Sequence, residues 1–314
     1  MTPLTLGGSA ADIPRTYPDL LDLLESRPQP ALTWYGTPAA GAESERVELS
    51  GRVLQNWAIK LIGLLSQESE LEPGDTVLVD AQAHWKVAAV VLAAGALEWR
   101  VALTASSSAA LDSSAPGSPA PGSAASGNAS DDDARRTAAA AASAALIITD
   151  RPGDWTGSGV LAESLGEAEL AALSPGLLDA SFEEATGEKL PAWVLDISAD
   201  VRQHPDQLPA PLPPVKLATA DLDTTGPTGA QGGAGVSSAR GGLVLAGAAP
   251  EVAWQDWTLA RWNSAEASTG PGGAVVIAAM LDAWARNQPV VLFQGDPAAH
   301  PEAWEQLLRN EGVH

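Results

Sequence analysis

Apolar residues recur along this chain in two rhythms, and each predicts an element. "YPDLLDLLESRP" sets Leu20, Leu21, Leu23 and Leu24 at helical spacing, and Pro28 ends the segment. "ALTWYG" and "ERVELS" are short strand-type runs around a Gly/Ala-rich turn, which predicts a hairpin. Ser50 can then cap a long helix carrying one apolar stripe of Val53, Leu54, Trp57, Ala58, Leu61, Leu64 and Leu65. "EPGD" (Glu72 to Asp75) reads as a turn, and "TVLVDA" as a buried strand.

"HWKVAAVVLAAGALEW" is a helix apolar on most sides, followed by the strand "RVALTA". Strand, covered helix, strand makes a βαβ unit whose second strand returns parallel by a right-handed crossover. "DDDARRTAAAAASA" is a helix with acids at its N-terminus, leading into the strand "ALIITD". "AWVLDIS" and "GGLVLAG" are two more buried strands, and "VAWQDWTLARW" after the second reads as a helix. "GGAVVIAAMLDAWARNQ" is a helix feeding the strand "PVVLFQ", and "PEAWEQLLRNEG" is a closing helix. Near-continuous apolar strands alternating with helices predict an α/β fold: one mostly parallel, doubly wound sheet flanked by helices.

Two stretches interrupt this order. Residues 105–130 are low-complexity Ser/Ala/Gly/Pro, and residues 202–240 contain "PDQLPAPLPP" and "TTGPTGAQGGAGVSSAR". Both read as mobile insertions in one domain spanning residues 1–314, since neither buries enough apolar surface to offset the entropy of ordering. Charge narrows the partners. Seventeen basic against 39 acidic residues give a net charge of −22, which argues against nucleic acid and anionic membrane. With no cysteine, disulfides, thiolate zinc sites and cysteine nucleophiles are excluded, and four scattered histidines argue against a histidine metal centre. The first residues lack a basic segment followed by an apolar core, and no apolar run reaches the ~18 residues of a membrane span. A soluble, cytoplasmic protein is expected.

The order of elements and several phrases resemble the adenylate-forming superfamily, which contains acyl-CoA synthetases, peptide-synthetase adenylation domains and luciferases. "ERVELSGRVLQNWAIKLIGLL" resembles its "L-T-Y-x-E-L" segment and following helix. "LEPGDTVLVDAQAHWKVAAVVLAAGALEWRVALTA" is similar to its "L-x-P-G-D-x-V" strand, helix and "A-G-A" turn. "GGAVVIAAMLDAWARNQPVVLF" is similar to a later helix and "x-V-V-L" strand. More narrowly, the chain resembles an actinobacterial family distantly related to the N-terminal part of these enzymes. The resemblance runs from about residue 18 onward, apart from the two insertions, and implies the fold of that N-terminal subdomain.

In those enzymes a phosphate loop, approximately Y-T-S-G-S/T-T-G-x-P-K-G, lies between a buried strand and a helix. The matching place is "GGLVLAGAAPE" (Gly241 to Glu251), where Gly247, Ala248, Ala249 and Pro250 offer no hydroxyl, no cation and at most three backbone donors. Charge-assisted contacts supply most of the affinity at a phosphate site. The turn is therefore expected to be only a turn, with neither ATP nor magnesium as a cofactor. The adenine-binding segment, the magnesium and ribose ligands and the catalytic lysine of the family's C-terminal domain would all fall beyond His314, so none is carried over.

Ligands of open α/β sheets sit beyond the carboxyl ends of the strands. Those ends present Asp80 and His84, then Thr149 and Asp150, then Asp196, Ser198 and Asp200, and finally Gly247. His84 with one of the aspartates would make a general acid/base pair. The favoured alternative is that Asp80 and Asp150 cap the turns that follow them and His84 starts a helix beside Trp85. Asp80, His84, Asp150 and Gly247 are thus the pocket candidates, with no residue assigned to catalysis or metal. Eleven tryptophans, among them Trp254, Trp257, Trp262, Trp284 and Trp304, read as core or as cover for a face left open to a partner. The expectation is a degenerate, non-catalytic relative of AMP-forming acyl-CoA synthetases that binds a ligand or protein, or self-associates as a dimer. The alternative is residual acyl- or adenylate-binding, or AMP-dependent ligase activity, alone or completed by another chain.

Overall fold

The computed structural model describes residues 13–36, 45–104, 126–174, 176, 179–208, 210–217, 243–246, 259–261, 272–294 and 300–311. Helix α1 (Tyr17–Glu25) is capped by Thr16, whose hydroxyl accepts from the Asp19 amide, and buries Tyr17, Leu20, Leu21 and Leu24. Strands β1 (Pro30–Tyr35) and β2 (Arg46–Ser50) pair antiparallel as the expected hairpin, with Thr33 opposite Glu48. The Ser50 hydroxyl accepts from the Val53 amide at 3.3 Å and so opens α2 (Gly51–Glu68). Then come β3 (Thr76–Asp80), α3 (Trp85–Ala96) and β4 (Arg100–Thr104), with β4 parallel to β3. The chain continues through α4 (Ser126–Ala141), β5 (Leu146–Thr149), α5 (Pro152–Thr156), α6 (Val160–Ser164) and β6 (Glu169–Ala172). Helix α7 (Phe182–Thr186) precedes β7 (Leu195–Asp196) and α8 (Ile197–Asp200). The last elements are β8 (Leu243–Ala246), β9 (Leu259–Arg261), α9 (Gly272–Ala285), β10 (Val290–Phe293) and α10 (Pro301–Glu311).

The fold is α/β and mostly parallel, as expected, but the strands form two sheets rather than one. One runs β2-β1-β10-β8-β9 and the other β4-β3-β5-β6-β7, with β1–β2 the antiparallel pair. The cause lies in α3, all twelve of whose residues are buried. A helix apolar all round must be covered all round. It packs against α2 and α1 and touches both β1 and β4. The largest apolar core accordingly joins Leu32 and Trp34 of β1 and Leu292 of β10 to Val77 and Val79 of β3 and Ile148 of β5, through α1, α2, α3 and α9. Period-two alternation splits each inner strand between two layers. Val290 and Leu292 face the shared core, whereas Val291 and Phe293 meet Leu307 of α10 on the far face. Ile148 faces the shared core, whereas Ile147 meets Trp155 and Phe182 on the outer face of the second sheet.

Several expectations change. Leu259–Arg261, read as part of a helix, is a strand paired in parallel with β8. "AWVLDIS" yields only the two-residue β7, because the Asp196 carboxylate accepts from the Ala199 amide and starts α8 instead. Strand β6 and the short helices α5 to α7 were not foreseen. Residues 126–130 of the first low-complexity stretch lie in α4, and residues 105–125 are outside the described residues. The second stretch is docked along residues 202–208 and 210–217. The Tyr17 amide donates to Val215 O and the Leu217 amide to Arg15 O, each at 2.9 Å, and Leu217 is buried. Leu208, Leu212 and Val215 pack on the shared core, and Lys60 Nζ donates to His204 O at 2.6 Å. Prolines reduce the freedom this strap gives up, and spaced apolar side chains anchor it. Residues 218–240 are outside the described residues.

Tryptophans serve mainly as core: Trp34, Trp85, Trp155 and Trp284 are fully buried, and Trp304 packs on Phe293 with ring centroids 5.3 Å apart. Trp254, Trp257 and Trp262 are outside the described residues. No helix among the described residues is long and apolar enough to cross a membrane.

Gly95 shows how tightly the helical layer is packed. A Cβ there would overlap the ring and hydroxyl of buried Tyr17. Overpacking of this kind costs about 1–3 kcal/mol, more than the gain in helix propensity from alanine. Gly95→Ala should therefore lower the urea midpoint. An unchanged or raised midpoint would mean that Tyr17 is not held between α1 and α3.

Candidate functional site

Three neighbouring strands of the second sheet, β3, β5 and β6, end on the same side. Beyond their carboxyl ends lies a cavity of about 390 Å³. Its lining comes from Ala81, Gln82 and His84 after β3, Asp150, Arg151, Gly153 and Asp154 after β5, Leu173 and Ser174 after β6, and Phe182, Thr186 and Glu188 around α7. Gln294, just after β10, reaches across from the first sheet. Its amide donates to Tyr35 O at 2.8 Å, and its side chain donates to the Gln82 side-chain oxygen. Both sheets thus contribute to one site at their strand ends, the usual place in an α/β fold.

His84 is the N-cap of α3, and its Nδ1 accepts from the Lys86 amide at 3.1 Å. That bond assigns the ring proton to Nε2. The ring is buried between Trp34 and Trp85, with centroids 4.6 and 5.5 Å away. Burial, assisted by the Lys86 ammonium, holds its pKa well below 6.5, so the imidazole is a neutral N–H donor. Its Nε2 is buried with no hydrogen-bond partner among the described residues.

Asp150 lines the same cavity. Its Oδ2 accepts from the Gln82 amide at 3.0 Å, so it braces the β3–α3 turn rather than the turn following itself. Its Oδ1 has no hydrogen-bond partner among the described residues, and Arg151 Nε stands 3.7 Å off as an ion pair. Burial raises the carboxyl to about 6, against the lowering effects of the Gln82 amide and Arg151.

Asp80 has a different part. It is fully buried and accepts from Thr104 Oγ1 at 3.0 Å, Trp155 Nε1 at 3.1 Å and an Arg151 guanidinium nitrogen at 3.3 Å. It clasps β3 to β4 and α5. No hydrogen bond joins His84 to Asp80 or Asp150, so the envisaged acid/base pair is not formed. Asp196 holds the Phe182 amide at 2.7 Å, which seats α7 over the cavity. Gly247 lies outside the described residues.

Sequence reading missed Lys86, although a lone lysine in a helix apolar on every side was the available signal. Its ammonium is buried and donates to Ser174 Oγ at 2.7 Å, Ser174 O at 2.9 Å and Gly176 O at 2.7 Å, with Asp179 at 3.8 Å. Ser174 Oγ also shares a 2.5 Å hydrogen bond with Ser198 Oγ. Lys86 thereby pins the β6 exit to α3 beneath the cavity. Desolvation lowers its pKa to about 8 despite Asp179. Among the described residues no group of histidines and carboxylates is arranged to hold a metal ion.

No family model matches this chain. A Mycobacterium tuberculosis protein, named as a TIGR03089 family protein, is 30% identical over 208 residues, which is 66% of this chain and 63% of that protein. An acyl-CoA synthetase from Brucella canis superposes with a TM-score of 0.51 at 13% identity, over 95% of this chain and 46% of the synthetase. Coronafacic acid ligase from Pectobacterium brasiliense gives 0.50 at 10% identity, over 95% of this chain and 49% of the ligase. The chain therefore spans about half the length of these solved enzymes and under two thirds of the mycobacterial relative. The likeness establishes the fold: this chain has the α/β architecture of the adenylate-forming ligases.

The Lys86 pin carries a pH signature. Its ammonium releases its proton near 8 in the folded protein and near 10.5 when unfolded. Between those values the unfolded chain binds more protons, so stability rises with pH. Tyr17, pushed up to about 12 by burial, acts in the opposite sense above pH 10. Denaturant unfolding from pH 8 to 10 should show a gain of roughly 2 kcal/mol, because one proton bound only by the unfolded chain adds at most about 1.4 kcal/mol for each step of one in pH. Lys86→Met should abolish it. The same gain in that variant would remove Lys86 as its source.

Proposed function

We propose that this chain is a small-molecule-binding relative of the adenylate-forming ligases, that its ligand occupies the cavity beyond β3, β5 and β6, and that it does not itself form adenylates. The observation carrying this reading is that the cavity is lined by two residues with buried polar atoms, His84 Nε2 and Asp150 Oδ1, that meet no hydrogen-bond partner among the described residues. Such atoms cost about 1–3 kcal/mol each when nothing satisfies them. A bound molecule of complementary polarity offsets that cost. A volume of about 390 Å³ falls in the range of ligand pockets.

Departure from adenylation rests on the sequence of the segment that follows β8. Gly247 to Pro250 supply neither hydroxyl nor cation for a triphosphate. A net charge of −22 adds a field that repels polyanions, which also disfavours nucleic acid and anionic membranes as partners.

Two measurements test the two halves. Millimolar magnesium-ATP should leave the melting temperature unchanged, where a site at hundredfold saturation would add about 2.7 kcal/mol and several degrees. Carboxylic acids should support no pyrophosphate exchange, and exchange with any of them would overturn the non-catalytic half. For the cavity half, Gly153 is an exposed residue of the pocket lining and a Cβ built there meets nothing within 4 Å, so Gly153→Leu adds bulk at the pocket with no clash at its first atom. Small molecules that stabilise the wild type should lose their effect in this variant. Retention of every such effect would place binding elsewhere.

A further inference from the structure

The charges around the cavity point to the kind of ligand, an inference that rests on the cavity-binding reading above. Asp150, Asp154 and Glu188 line it together with one guanidinium, that of Arg151. That guanidinium is shared with Asp80, buried behind the lining, at 3.3 Å and with Asp154 at 3.3 Å. Among the described residues of the lining and those directly behind it, one guanidinium thus stands with four carboxylates. His84 adds no charge, because its imidazole is held neutral. Lys86 is turned away toward Ser174, Gly176 and Asp179.

Within this acidic surround the Asp150 Oδ1 atom is buried and has no hydrogen bond from the described residues, and Arg151 Nε, at 3.7 Å, is an ion-pair rather than a hydrogen-bond neighbour. A buried carboxylate in that position is satisfied by a cationic donor. His84 Nε2–H presents the opposite need, a donor without an acceptor among the described residues. Leu173 and Phe182 supply apolar wall.

We propose that the cavity binds a small primary amine whose ammonium donates to Asp150 and which carries an oxygen acceptor for His84 Nε2–H, on an apolar body packed against Leu173 and Phe182. Carboxylate ligands would meet like charge here.

The test uses the full chain and three matched sets of ligands: amino alcohols such as phenylalaninol, neutral alcohols such as 3-phenylpropanol, and carboxylates such as 3-phenylpropionate. Calorimetric titration should detect the amino alcohols alone. Burial raises Asp150 to about 6, with the Gln82 amide and Arg151 lowering it and Asp80 raising it, and the ammonium binds its ionised form. Affinity should therefore rise about tenfold from pH 5 to pH 7, the ratio of ionised fractions for a group of that pKa. Asp150→Asn should remove both the binding and its pH dependence. Should that variant fail to fold, the wild-type pH profile carries the test, since a flat profile overturns the proposal. Binding of neutral or carboxylate ligands that Gly153→Leu abolishes would overturn the ammonium assignment and leave the cavity reading intact. Failure of all three sets would overturn both.

Discussion

A helix that is apolar on every side has nowhere to go but the middle of the molecule. Helix α3 is that helix, and its burial organises the rest. Covering it takes α1 and α2 along its flanks and contacts with a strand of each sheet, which brings two parallel sheets against one shared helical layer. Further helices then cover the outer faces, α10 on the first sheet and α4 to α7 on the second. The same packing carries its one charged residue, Lys86, into the interior. Lys86 must find acceptors there, and it takes them from the β6 exit. The tether that results fixes one wall of the cavity.

The site follows from that layering. Its floor is the start of α3, where His84 caps the helix and loses its Nδ1 lone pair to the Lys86 amide. Trp34 of β1 packs on His84 and donates from Nε1 to Ala83 O at 2.9 Å, so the first sheet holds the loop of the second in place. Asp80 and Trp155 lock β3 to α5 from the other side. The chemistry on offer is thus a set of rigidly mounted polar atoms in an apolar, acidic pocket. Ser174 at its wall is held by the Lys86 ammonium at 2.7 Å, so that hydroxyl is fixed in place as firmly as His84 and Asp150.

Sequence alone made much of the frame legible, for local reasons. Ser50, the β1–β2 hairpin and the β3–α3–β4 crossover are specified by residues close together in the chain. Elements that depend on distant partners were missed. Strand β6, "ELAA", has little intrinsic strand preference and exists because it pairs with β5. Leu259–Arg261 sits in a stretch with helical spacing, yet pairing with β8 overrides it. The strap at 210–217 looked like free loop because its anchors, Arg15 and Tyr17, lie some two hundred positions earlier. At the site, Asp80, His84 and Asp150 were found by their place at strand ends, but their roles were not. Those roles come from Thr104, Trp155, Lys86 and Gln294, the last of which meets Gln82 across 212 positions. No local pattern encodes such meetings.

The adenylate-forming fold supplies this scaffold, and its proposed use in this chain is to hold a small molecule in the cavity. Native mass spectrometry of the protein purified under mild conditions tests that claim most directly. A noncovalent small-molecule adduct on the wild type, absent from Gly153→Leu, is the predicted result. Bare protein in both, or the same adduct on both, would contradict it.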